Sequence, residues 1–206
     1  MRSAASNAGP DISAAAAPAA SAAAATTSFE LSGPALLAAL RGGGYVLYFR
    51  HAATDFGQND DQMTGYEACA TQRNLTDTGR ADARAIGATL RELHIPIGAV
   101  LASPYCRTME TAQLMFGRAT ATPAVRGGTA QPDSPARYAG LRDLLATIVA
   151  PGSNLVIVSH GNPYRAVVGG DYLAEGEAAV IEPLGAAGFR VVARVPKDGW
   201  KDLAAR

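Results

Sequence analysis

Three short apolar runs, at 45–49, 98–104 and 155–158, each break off at groups that can do chemistry, and each is followed by a stretch with helical signals. The first, Tyr-Val-Leu-Tyr-Phe, stands behind Gly42 to Gly44 and stops at Arg50-His51. The second ends on Ser103-Pro104, with Arg107 three residues further on. The third, Leu-Val-Ile-Val, stops at Ser159-His160-Gly161-Asn162. Runs this short, rich in β-branched and aromatic residues and bounded by Gly, read as buried strands. Strands alternating with helices suit an open α/β sheet. In such sheets ligands bind outside the carboxyl ends of the strands.

If the three strands are neighbours, two arginines and two histidines meet at one edge. A guanidinium is a forked, permanent cation suited to phosphate or carboxylate, and a neutral imidazole offers a nucleophilic nitrogen. The second imidazole can stabilise charge that develops in a transition state. Taken singly, Arg50-His51 describes equally well a strand running out into water. Arg107, close to a helix N-terminus, opposes the helix dipole, and a bound anion would give it a reason to be there.

The bulk numbers narrow the choice. Eighteen basic residues balance eighteen acidic ones in 206 residues, so no global field attracts nucleic acid or anionic lipid. Hydrophobic residues make up 48% of the chain, enough for a core, and no stretch is long and apolar enough to span a bilayer. There is no Walker pattern, and neither a cofactor nor a metal is expected. Cys69 and Cys106 are too few for a disulfide framework and lack zinc spacing. They are either small core residues or one disulfide. Residues 1–28, dominated by Ala with Ser, Pro and Thr, read as a flexible tail, and 29–206 as a single folded domain. A periplasmic or secreted location and a cytoplasmic one stay equally open.

In the coarse element order, 34–40 is a helix, 55–74 a long irregular loop, and 76–93 a helix with Thr76 or Asp77 as cap. His94, at the end of that helix, is left out of the chemistry. A further helix starts near Tyr105, 122–125 reads as an edge strand, and 126–135 as a loop. A helix at 134–149, another from Pro163, and strands at 178–181 and 188–195 complete the chain.

Four stretches then fall into a known order. Arg50-His51-Ala52-x-Thr54, Leu75-Thr76-x-x-Gly79, Ser103-Pro104-x-x-Arg107-Thr108-x-x-Thr111-Ala112 and Ser159-His160-Gly161-Asn162 resemble the motifs of the histidine phosphatase (phosphoglycerate mutase-like) superfamily, short bacterial branch, over about residues 42–195. The resemblance implies an α/β fold, a three-layer α/β/α sandwich around a mainly parallel sheet. It implies a metal-independent phosphatase acting on a phosphomonoester or phosphohistidine of a small molecule or phosphoprotein. His51 would become a covalent phosphohistidine, with Arg50, Arg107 and His160 completing the phosphate pocket and Thr54 close by. Two departures stand out. Ala52 replaces the usual Gly, and the region where mutase-type relatives carry an acid offers only Asp133. The proton donor is therefore expected at Glu177, with Asp133 as the alternative acid and Glu175 a further pocket candidate. A phosphomutase and a non-catalytic phosphate-binding protein of the same fold are the alternatives.

Overall fold

The computed structural model describes residues 29–127 and 134–205. The Ala-rich tail and Asp133 therefore lie outside the described residues. Strands β1 (Val46–Arg50), β2 (Ile97–Ala102), β3 (Thr120–Ala121), β4 (Asn154–Ser159), β5 (Ala178–Pro183) and β6 (Phe189–Val195) form one sheet in the order β3-β2-β4-β1-β5-β6. The first four are mutually parallel, and β5 runs antiparallel to both of its neighbours.

Alternation along β1 divides the core in two. Leu47 and Phe49 face one side, under helices α1 (Gly33–Gly42), α2 (Asp77–Glu92) and α3 (Cys106–Phe116), where Trp200 lies against Phe49 with ring centroids 5.7 Å apart. Val46 and Tyr48 face the other, under α4 (Ala139–Ala146) and α5 (Gly161–Val168). Successive strand residues point to opposite faces, so a run apolar at every position requires cover on both. Three layers follow.

Local chemistry sets the element ends. Thr76 caps α2 by accepting the Gly79 amide, and Gly117, at φ 70°, ends α3 in the left-handed region that Gly tolerates. The expected edge strand at 122–125 is corrected. The ladder is the two-residue β3 just before it, and Pro123–Val125 forms a 3-10 turn, since Pro123 has no N–H to give a sheet. Helix α5 starts two residues before Pro163, which sits in its first turn, where a missing N–H costs nothing. The helix expected over 134–149 opens as a 3-10 turn, Pro135–Tyr138, and its α-helical part stops at Ala146.

Two devices hold the loop after β1. The Thr76 amide donates to the Ala53 carbonyl (3.0 Å) and Thr54 bridges to Leu75, so the start of α2 clamps the backbone behind His51. Gly79 packs so closely that a Cβ there would stand 2.9 Å from the Ala53 carbonyl carbon and nitrogen, and closer still to its oxygen. Across the 55–74 loop, Cys69 and Cys106 form a disulfide with Cα atoms 5.7 Å apart, tying the loop to the first residue of α3. Gln72 reinforces that tie by accepting the Cys106 amide (3.0 Å) while donating to the Gly65 and Tyr66 carbonyls.

Gly79→Ala should lower stability in urea unfolding by about 1–3 kcal/mol through overpacking against backbone that cannot yield. The bridge closes a sequence separation of 37, so its reduction should lower stability by about 3–4 kcal/mol. Titration of the unfolded, unreduced protein should find no free thiol, and two titratable thiols would show the bridge absent.

Candidate active site

The parallel register pairs Arg50 with Ser159 and Phe49 with Val158, which sets the ends of β1 and β4 side by side. His51 and His160, the next residues along each chain, therefore meet, with ring centroids 5.5 Å apart in an edge-to-face arrangement. Strand β2 ends beside β4, bringing Ser103 within 2.8 Å of His160 Nε2 and placing Arg107 in the first turn of α3. All four predicted phosphate ligands, Arg50, His51, Arg107 and His160, line one cavity of about 290 Å³.

His51 is held by its surroundings. Its amide donates to the Ser159 carbonyl (3.0 Å), and its ring Nδ1 lies 2.9 Å from the Ala52 carbonyl, a partner that can only accept. Nδ1 therefore keeps the proton and Nε2 keeps its lone pair. Ala52 in turn donates its amide to Thr111, whose hydroxyl donates to the Arg107 carbonyl, so the loop after His51 and α3 are bonded together. The Ala52 methyl is fully buried in the core, which has room for its Cβ. Burial, followed by the nearby Arg107, Arg50 and Arg73 guanidiniums, lowers the His51 pKa to about 3. His160 is lowered for the same reasons, burial first and then His51, Arg107 and Arg126. The Tyr48 hydroxyl donates to the His160 carbonyl (2.8 Å), fixing the second ring's backbone.

The guanidiniums are anchored but keep donors in hand. Arg50 donates Nη1 to the Leu173 carbonyl (2.8 Å), and Arg107 donates Nη1 to Asp60 (2.9 Å) and, more weakly, to the Arg73 carbonyl (3.3 Å). The Nε groups of both are buried without a hydrogen-bond partner among the described residues, and unpaired buried donors are costly unless something satisfies them. Oxyanion oxygens would do so.

The carboxylates are distributed differently from expectation. Glu177 is not on the cavity wall. It is 8% exposed, gripped at two points by Arg194 (2.7 and 2.8 Å), and accepts the Ala174 amide. That corrects its expected place as proton donor, because both of its oxygens are committed to holding the turn before β5. Glu175 accepts the Thr54 hydroxyl (2.6 Å) and stands 3.8 Å from both Arg50 Nη2 and His51 Nδ1, on the protonated side of the ring. Among the described residues the carboxylate on the cavity wall is Asp60, from the 55–74 loop, and nothing in its neighbourhood in sequence marked it out. Arg73, Arg126 and Tyr105 were missed as well. Arg107 and Arg126 both stack on the Tyr105 ring, at 4.4 and 5.0 Å from its centroid, and the ring lies 5.1 Å from that of His160. The clue in sequence was the presence of Arg in the two loops, 55–74 and 126–135, that follow strand ends. Among the described residues no group of three or more His, Cys, Asp or Glu is arranged to hold a metal ion, and no helix is long and apolar enough to cross a membrane.

The buried His51 also couples stability to pH. In the unfolded chain it takes a proton near its ordinary 6.5, whereas in the folded protein it stays neutral down to about 3. Between those values the unfolded state binds more protons, so stability falls as pH is lowered through that window. The slope from one such group approaches about 1.4 kcal/mol per pH unit. Urea unfolding between pH 7 and 4 should show a shallower decline for His51→Gln than for the wild type.

Residues 46–128 match the model of the histidine phosphatase superfamily, branch 1. No curated protein matches the chain at a significant level. Among solved structures, the chain is similar to the protein histidine phosphatase SixA complexed with tungstate, at 17% identity and a TM-score of 0.51, over 74% of this chain and 97% of that one. It is similar at the same TM-score to a protein from Thermus thermophilus, with 18% identity over 74% and 99% of the two chains. A third is a mutant phosphoserine phosphatase from Entamoeba histolytica in complex with phosphoserine, with 12% identity, a TM-score of 0.51, and 75% and 98% covered. Identities this low speak to the fold, while the family match covers the strand and loop that carry Arg50 and His51 and the helix start that carries Arg107. Those motifs make the chain similar to the histidine phosphatase superfamily over residues 46–128, and the sheet has the fold of the solved structures above.

Proposed function

We propose that the protein is a phosphatase that works through a covalent phosphohistidine at His51, on a small phosphorylated molecule or a phosphorylated protein. The observation that carries this is the state of His51. Its Nδ1–H is pinned to the Ala52 carbonyl, its ring is neutral at physiological pH, and it faces a cavity shared with Arg50, Arg107 and His160. An imidazole so held is a nucleophile that needs no base to activate it.

In the first step the Nε2 lone pair attacks phosphorus, a P–N bond forms, and the bond to the leaving oxygen breaks. Arg50 and Arg107 take the non-transferred oxygens, and the otherwise unpaired Nε donors give them a purpose in that state. Because Nδ1 keeps its proton throughout, the phosphorylated ring carries positive charge. Glu175, 3.8 Å from Nδ1 and steadied by Thr54, is placed to balance it. In the second step water attacks phosphorus, the P–N pair returns to Nε2, and the hydrogens of the water leave with the phosphate. The guanidiniums supply the positive charge that a metal would otherwise provide, so a metal-independent reaction is expected. The related fold of a protein histidine phosphatase and of a phosphoserine phosphatase is consistent with either kind of substrate. The disulfide suits an oxidising compartment, in keeping with a periplasmic or secreted protein.

The test is hydrolysis of 4-nitrophenyl phosphate in the presence of chelator. His51→Ala should abolish turnover and the acid-labile phosphoenzyme. Arg107→Ala should lower kcat/KM roughly 100- to 1,000-fold, the effect of removing a donor to a developing oxyanion. Wild-type turnover by His51→Ala would remove His51 from the mechanism. Phosphate or vanadate binding without any hydrolysis would point instead to a phosphate-binding protein.

A further inference from the structure

The cavity holds more positive charge than one phosphoryl group needs. Five arginines line it, Arg50, Arg73, Arg107, Arg126 and Arg137, against one carboxylate among the described residues, Asp60. Arg50 and Arg107 suffice for the group that His51 attacks. Arg126 stands farther along the wall. His51, His160, Tyr105 and Arg126 follow one another at steps of 5.5, 5.1 and 5.0 Å between ring centroids and, last, to the guanidinium carbon. Tyr105 positions it twice, by stacking and by accepting a hydrogen bond from its Nη2 (2.8 Å).

A second feature points the same way. An alcohol leaving group departs as an alkoxide and needs a proton from a neutral acid. Asp60 is poorly suited to give one, because its Oδ1 is bonded to Arg107 (2.9 Å) and to the Arg73 amide (2.9 Å), both of which favour the carboxylate. Glu175 faces Nδ1 of His51, and Glu177 is held by Arg194, so among the described residues none of these three carboxylates is placed to give a proton to a leaving alcohol. A leaving group that is stable as an anion requires no such acid, and it would be drawn to cations placed beyond the reacting phosphorus.

We propose that the substrate is a phosphoric anhydride, a small molecule ending in a diphosphate, with Arg126 holding the phosphate that departs. The proposal rests on the phosphohistidine mechanism and names its substrate class. The Nε2 of His51 bonds to the terminal phosphorus. The bridging P–O bond breaks, and its electron pair stays on the departing phosphate, whose last ionisation lies near ~6, so that it leaves as an anion without a proton. Water then attacks the phosphohistidine, the P–N pair returns to Nε2, and both hydrogens of the water leave on inorganic phosphate, which gives one to the solvent.

The test compares three probes in chelator: inorganic pyrophosphate, 4-nitrophenyl phosphate, whose leaving group is good but carries no phosphate, and glycerol phosphate, whose leaving group is poor. Wild-type kcat/KM for pyrophosphate should exceed that for 4-nitrophenyl phosphate by about tenfold and that for glycerol phosphate by about a hundredfold or more. Arg126→Gln should lower the ratio of pyrophosphate to 4-nitrophenyl phosphate about tenfold, and Arg126→Lys should restore part of it. Thermal melts of both variants check that they fold. Turnover of 4-nitrophenyl phosphate but not pyrophosphate would overturn the anhydride proposal and leave the phosphatase mechanism standing, as would a ratio untouched by Arg126→Gln. If glycerol phosphate matches pyrophosphate, the proposal also falls. If no probe turns over, the phosphatase mechanism fails, and calorimetry decides the subsite. Pyrophosphate binding tenfold tighter than inorganic phosphate supports it, and equal affinities overturn it.

Discussion

The parallel pairing of β1 with β4 is the constraint on which the site depends. Each strand is followed directly by a histidine, and the register that pairs Arg50 with Ser159 puts the two rings in contact. A strand's side chains alternate between faces, so slipping this pair by one residue would send every core side chain to the wrong layer. Val46 and Tyr48 on one face and Leu47 and Phe49 on the other are all fully buried, so hydrophobic burial enforces the register, and the register places the two histidines. Packing and chemistry are one specification here. The same holds for β5, whose antiparallel run delivers Glu175 and Glu177 to the edge where β1 ends, with the Arg50 amide donating to the Glu177 carbonyl and the Gly176 amide to that of His51.

That edge would be of little use if the loops leaving it could move. The chain after His51 is clamped from below by Gly79 and Thr76, and from the side by Thr111, which bonds both Ala52 and the Arg107 carbonyl. The Leu-Thr-x-x-Gly segment is therefore a support for the backbone that follows His51. Its glycine is required by close approach to the Ala53 backbone, whereas Ala52 points into a core that has room for a methyl group.

The strands, the helices that follow them and the four residues that share the cavity at the strand ends were legible because each leaves a local mark: a short apolar run, then a charged or titratable residue at its end. Arg50, His51, Arg107 and His160 all meet that description. Glu177 could not be placed by the same logic. A carboxylate after a strand end has no preferred partner until the fold supplies one, and here Arg194 on β6 engages both oxygens. Asp60, Arg73 and Arg126 lie in irregular loops, where neither periodicity nor spacing says which side chains turn inward. Their position comes from the Cys69–Cys106 bridge, which the sequence left open as one of two readings, and from Gln72 and Tyr105, two tertiary links with no signature in the linear order. The edge strand failed for a simpler reason. Thr120 and Ala121 carry no large apolar group, while the more apolar residues after them begin at a proline.

A cavity with this much like charge is unfavourable to assemble, since each guanidinium raises the cost of its neighbours. The protein offsets this in three ways that also determine how the site can act. Carbonyls at Leu173 and Arg73 accept from Arg50 and Arg107, and the face of Tyr105 carries two cations at once. Asp60 supplies a formal negative charge. Burial works to raise its pKa, but the hydrogen bonds and charges of Arg107 and Arg73 outweigh that and hold it below the usual value. Finally, the disulfide fixes the loop bearing Asp60 and Arg73 to the helix bearing Arg107, so the entropy of bringing these groups together is met by the fold rather than by the ligand. An anion entering such a site meets donors already in position. The repulsion stored among the arginines is relieved by the anion's charge, which favours a multiply charged ligand over a singly charged one more steeply than hydrogen-bond counting alone would suggest.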